Sequence, residues 1–115
     1  IFVNDHCDAI LKVIEHGKTR NSYNISAHNG IDNITIVKKI LTNMDCSLDL
    51  IDFVDDRPGH DLRYALDSSK IRNELNWSET RNFEDGLQET IEWYLNNEWS
   101  KDVPSDTFNP TPWKN

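Results

Sequence analysis

The densest group of chemistry-bearing side chains in the sequence is Asp55-Asp56-Arg57-Pro58-Gly59-His60-Asp61-Leu62-Arg63-Tyr64. Arg57 offers a forked guanidinium that matches a phosphate or diphosphate, and His60 adds a donor or a switchable charge. Pro58-Gly59 is a strong turn signal that would aim both side chains at one point. Asp55, Asp56 and Asp61 are placed to hold Arg57 and Arg63. The same composition also suits a solvated charged turn, because loops are ordinarily polar and charged side chains ordinarily exposed.

Other combinations are weaker. Asp5-His6-Cys7-Asp8 has metal-capable residue types, yet neighbours at i, i+1 and i+2 of a helix point apart. A metal site would need His6 joined by His28 or His60, and no ligand pair has a recognised spacing, so no metal is expected. Asn33 follows the His28-Asn29 loop and starts a helix, where it serves as a cap or a ligand contact; chemistry alone favours the cap. Ser-His-Asp and Cys-His sets can be written from these residues, but nothing places them together, so no catalytic residue is assigned. Trp77, Phe83, Trp93 and Tyr94 have the spacing of packing residues rather than of a stacking platform.

The elements that must position these groups follow from the apolar pattern. Ile1-Phe2-Val3 reads as the end of a strand and Asp5 as the N-cap of a helix carrying Ala9, Ile10, Val13 and Ile14, closed by His16-Gly17. Residues 22–26 read as a short strand and residues 27–32 as a polar loop. A second helix from Asn33 to Met44 should bury Ile36, Val37, Ile40 and Leu41. Residues 50–54 read as a strand leading into the Arg57 loop, the place where α/β proteins put ligand crevices. Asp67 or Ser68 caps a short helix with Ile71 and Leu75, and Asn82 caps the last helix, with Phe83, Leu87, Ile91, Trp93, Tyr94 and Leu95. The order implies a small α/β unit with a thin sheet of three short strands. Residues 100–115 change to a Pro-rich tail.

Composition removes several function classes. With 115 residues the chain suits one domain, and 20 acids against 12 bases leave a formal net charge of −8. That excess argues against a nucleic-acid coat or an anionic-membrane binder, and no apolar run approaches a membrane span. Gly17, Gly30, Gly59 and Gly86 stand singly, so no Gly-rich phosphate loop can be written. Cys7 and Cys46 fit two reduced thiols in a cytoplasmic protein better than a secreted disulfide framework. The apolar start at Ile1, with no basic region before it, resembles neither a secretory signal nor a transit peptide, and reads as a cut from something longer.

The run Asp56-Arg57-Pro58-Gly59-His60-Asp61-Leu62-Arg63-Tyr64-Ala65-Leu66-Asp67, followed by Lys70-Ile71 and Leu75-Asn76-Trp77, resembles the C-terminal part of the dTDP-glucose 4,6-dehydratases. These are NAD-dependent enzymes of the extended short-chain dehydrogenase/reductase family. Val3-Asn4-Asp5-His6, Tyr23-Asn24-Ile25 with His28-Asn29, and Thr90-Ile91-Glu92-Trp93-Tyr94-Leu95 agree in the same order. The resemblance implies that residues 1–99 form the substrate-binding C-terminal portion, with residues 100–115 as a tail and an N-terminal Rossmann domain missing. It implies that Asn33, Asp56, Arg57, Pro58, Gly59 and His60 contact a dTDP-sugar. NAD would be held by the missing domain of a cytoplasmic homodimer that oxidises C4 of the glucose, eliminates water across C5–C6 and returns the hydride to C6, forming dTDP-4-keto-6-deoxyglucose.

The departures are as informative. Tyr23, Tyr64 and Tyr94 are followed four positions on by Ala27, Ser68 and Glu98, so the Tyr-x-x-x-Lys catalytic pair is absent along with the glycine loop. Ser26-Ala27 stands where the family more often has two glycines. Taken alone, then, the chain is expected to grip a substrate and not to transform it. A related sugar-nucleotide dehydratase or epimerase, or a stand-alone nucleotide-sugar-binding module, would carry much of the same pattern.

Overall fold

Among the described residues, apolar residues at helical spacing produce four α-helices: α1 (Val3–His16), α2 (Asn33–Asn43), α3 (Ser69–Leu75) and α4 (Phe83–Asn96). A 3-10 turn, Leu48–Leu50, follows α2. These elements come from a computed structural model, which describes residues 1–27, 29–98 and 103–104. Apart from 103–104, the expected tail at 100–115 lies outside the described residues. The chain divides into two compact units, one of Ile1–Ile31 with Ala65–Glu89 and one of Asp32–Tyr64 with Thr90–Asn115.

No strand forms among the described residues, which corrects the expected three-stranded sheet. Val3 already belongs to α1, Leu50 closes the 3-10 turn, and residues 22–26 and 51–54 have no regular structure. A strand needs a neighbour to take its main-chain hydrogen bonds, and these apolar stretches meet none here.

In the first unit, Ala9, Ile71, Leu75 and Trp77 form the buried core, with Val13, Tyr23 and Ile25 packed against it. Phe2, not Asp5, is the N-cap of α1. Asp5 sits one turn inside, only 2% exposed. Its Oδ1 accepts from the Thr80 N–H (3.0 Å) and hydroxyl (2.7 Å), and its Oδ2 from the Arg81 N–H (3.1 Å). Burial pushes this carboxyl up, but those three hydrogen bonds and the Arg81 charge outweigh it and hold Asp5 below its ordinary range. At the other end of α1, Gly17 donates to the Val13 carbonyl at 2.9 Å. A Cβ on Gly17 would collide with that same oxygen, so the position needs glycine for space.

The caps of α3 and α4 follow the expected residues. Asp67 Oδ1 accepts from the Ser69 N–H at 2.8 Å, and Asn76 ends α3 in the left-handed region at φ 47°. Asn82 Oδ1 accepts from the Asp85 N–H (2.9 Å) while its amide donates back to Asp85 (2.7 Å). In the second unit, Asp32 caps α2 by accepting from the N–H and hydroxyl of Thr35, both at 2.9 Å. The apolar face of α2 is less covered than expected: Ile36, Ile40 and Leu41 are half-buried and Val37 is exposed.

Asp5→Ala is expected to cost about 2 kcal/mol of stability, because it leaves the Thr80 and Arg81 donors without their acceptor. The Asp5 pKa is lower folded than unfolded, so its contribution is complete above about pH 4 and is lost as pH falls through the folded value. Asp5→Asn should flatten that acid limb in a denaturation series against pH. An unchanged limb would remove Asp5 from this role.

Candidate functional site

The Arg57 run forms an exposed loop in the second unit. At its tip the His60 N–H donates to the Arg57 carbonyl at 3.2 Å, with Pro58 and Gly59 between them and Gly59 at φ 71°. Proline first and a positive-φ glycine second are the requirements of a type II turn, so the local fold is dictated by these two residues. His60 Nδ1 lies 3.2 Å from Asp56 Oδ1 across the same turn. In the doubly protonated ring Nδ1 donates to Asp56 and the outer Nε2 is left to donate to an anionic ligand.

The structure therefore gathers Asp56, Arg57, Pro58, Gly59 and His60 in one turn. Asn33, also in the second unit, occupies the exposed first position of α2, and no hydrogen bond joins it to the turn among the described residues. The cap of α2 is Asp32 rather than Asn33, so the Asn33 side chain is not used for capping. The Thr35 N–H and hydroxyl hold Asp32 below the usual carboxylate range, which keeps a negative charge beside Asn33.

The expected carboxylate cradle does not form: among the described residues neither Arg57 nor Arg63 makes an ion pair. The Arg57 fork is thus available to an outside anion. The loop also exposes large apolar groups, with Phe53 at 83% and Leu62 wholly exposed. Of the residues weighed for a metal, His6 is exposed on α1 and His28 lies outside the described residues. Among the described residues no three His, Cys, Asp or Glu side chains converge. Both cysteines are free thiols, and no described helix is long and apolar enough to cross a membrane.

A family model described as GDP-mannose 4,6 dehydratase matches residues 1–90. The chain belongs to this family. Among curated relatives of the family, the dTDP-glucose 4,6-dehydratase of Neisseria meningitidis serogroup B is 40% identical over 94% of this chain and 34% of its own length. One from Escherichia coli is 41% identical over 94% of this chain and 33% of its own. The crystal structure of the dTDP-glucose 4,6-dehydratase of Bacillus anthracis in complex with NAD superposes with a TM-score of 0.77, at 40% identity over 84% of this chain and 30% of that one. That of Streptomyces venezuelae, with NAD and TYD bound, gives 0.78 at 35% identity, over 82% of this chain and 29% of that one. The chain thus spans about a third of the length of the family members it matches, and the resemblance drawn from the Arg57 run is borne out.

The residues of this chain do not fit NAD: its four glycines stand apart, and none of its tyrosines has a lysine four positions on. Sequence reasoning missed two features of the first unit, the buried Asp5 and the hydrogen bonds of the Asn24 and Ser26 side chains. Local pattern cannot find them, because their partners lie 40 or more residues away.

Gly59→Ala meets no atom within 4 Å, so its cost, about 1 kcal/mol, is conformational. The His60 amide should then exchange faster with solvent, while Gly59→Asn, which tolerates the left-handed region, retains most of the protection. Equal exchange in Gly59→Ala and the parent would show that the turn does not need its glycine.

Proposed function

We propose that this chain is the nucleotide-sugar-binding part of an NAD-dependent dTDP-glucose 4,6-dehydratase. The observation that carries the reading is roughly 40% identity to enzymes of that name along nearly all of the chain, including the turn at Arg57. In this reading residues 1–99 bind substrate, residues 100–115 are a tail, and the remaining two thirds of the enzyme include a Rossmann domain. Bound there, NAD would supply the oxidation at C4 and the later return of hydride.

The contribution of this chain is recognition. Arg57 presents parallel N–H donors to two oxygens of the diphosphate, the strongest pairing an exposed loop can offer an anion. His60, oriented by Asp56, adds a contact beside it, and the Pro58-Gly59 turn sets their spacing. Asn33 stands next to the ionised Asp32, which disfavours a phosphate there, so its amide faces the neutral sugar or base. The complete enzyme is read as a cytoplasmic homodimer that uses neither nucleic acid nor membrane. The acidic balance speaks for the absence of a nucleic-acid or anionic-membrane partner, and the free thiols for the cytoplasm.

One observation favours a rival. The matching family model carries the description GDP-mannose 4,6 dehydratase, so a GDP-sugar is the alternative ligand. Calorimetric titration of the full-length protein with dTDP-, UDP- and GDP-sugars ranks them, and tightest binding of dTDP-glucose is expected. Arg57→Ala should weaken dTDP-glucose binding about 10- to 100-fold, the value of a charge-assisted contact, while NAD affinity stays within about two-fold. Unchanged dTDP-glucose affinity would remove Arg57 from the site.

A further inference from the structure

All of the residues assigned to substrate binding lie in one excursion of the chain. It leaves the first unit after Ile31 and rejoins it at Ala65. Just inside the first unit, the segments before and after that excursion are tied together by side chains rather than by a strand ladder. Ser26 Oγ donates to the Leu66 carbonyl at 2.8 Å, and the Asn24 amide donates to the Asp67 carbonyl at 3.3 Å. The Ser26 carbonyl in turn accepts from Ser68 Oγ at 3.0 Å and from Arg72 Nη2 at 3.3 Å.

This clamp has a firm footing. Ser68 is fully buried, and Arg72 Nε donates to its hydroxyl at 3.2 Å. Arg72 is held by Glu79 at 2.5 Å and lies over the ring of the buried Trp77, 5.1 Å from its centroid. Ser26 donates to the Leu66 carbonyl and accepts from Ser68 and Arg72, so it ties the two ends of the excursion together. Holding the two ends of a loop together reduces the entropy lost when the loop is ordered around a ligand.

We infer that Ser26 is a positioning residue for nucleotide-sugar binding, acting through the Leu66 carbonyl on the arm that returns from the Arg57 turn. The inference rests on the reading of that turn as a diphosphate contact. Its test is Ser26→Ala in the full-length protein, which removes one hydroxyl and leaves the carbonyl contacts intact. Titration with dTDP should show about five-fold weaker binding, the loss of one hydrogen bond, and amide exchange should accelerate at Ser69, whose N–H is held by Asp67 next to the clamp. Ser26→Thr, which keeps the hydroxyl, should restore both. Parent-like affinity in Ser26→Ala would overturn the inference, whether or not exchange accelerates, because the clamp would then be structural only. If the parent protein itself fails to bind dTDP, the diphosphate reading fails, and parent-like exchange in Ser26→Ala would then show separately that no clamp acts on the arm.

Discussion

The Asp5 carboxylate draws three hydrogen bonds from Thr80 and Arg81, and through them the first turn of α1 is fastened to the segment that leads into α4. A buried carboxylate without partners would be costly, so the contact also dictates where Thr80 and Arg81 must lie. With that junction set, Ala9 and Val13 of α1 face Ile71 and Leu75 of α3, and Trp77 completes the core. Space is tight nearby as well: a Cβ on Gly86 would stand 3.3 Å from the Phe2 side chain. The first unit is therefore held by a small apolar core with a polar lock at its edge.

The second unit is organised differently. Its helix α2 has no fully buried residue, and the loop that follows exposes Phe53, Leu62 and Tyr64. Here the local geometry comes from caps and turns: Asp32 on Thr35, Ser47 on Asp49, and the Pro58-Gly59 turn. Such contacts specify conformation over a few residues without burying much surface. They suffice to hold Arg57 and His60 at the two ends of one tight turn. Because the chain carries a net charge of −8, the proposed attraction of a diphosphate rests on this local pair rather than on the overall charge of the chain.

What the sequence made legible was local chemistry. The helix ends at Gly17, Asn76 and Asn82 and the turn at Pro58-Gly59 follow from residues adjacent in the chain, and each is present. Helical periodicity located all four helices for the same reason. The strands were misjudged because a strand is a relation between segments: residues 22–26 and 50–54 have strand-like composition but no pairing partner among the described residues. Asp5 was misread as a cap because its true partners lie 75 residues away. The turn at Arg57 is readable from its own residues, whereas the bonds of Asn24 and Ser26 to Asp67 and Leu66 in the first unit are long-range and hidden from local pattern.

The central claim is that the turn from Asp56 to His60 grips the diphosphate of a nucleotide sugar. A crystal structure of the full-length protein with dTDP-glucose tests it most directly. The account predicts the Arg57 guanidinium in bidentate contact with diphosphate oxygens, at about 2.7–2.9 Å, and His60 beside it with Asp56 still on Nδ1. A nucleotide bound elsewhere, with Arg57 still facing solvent, would contradict it.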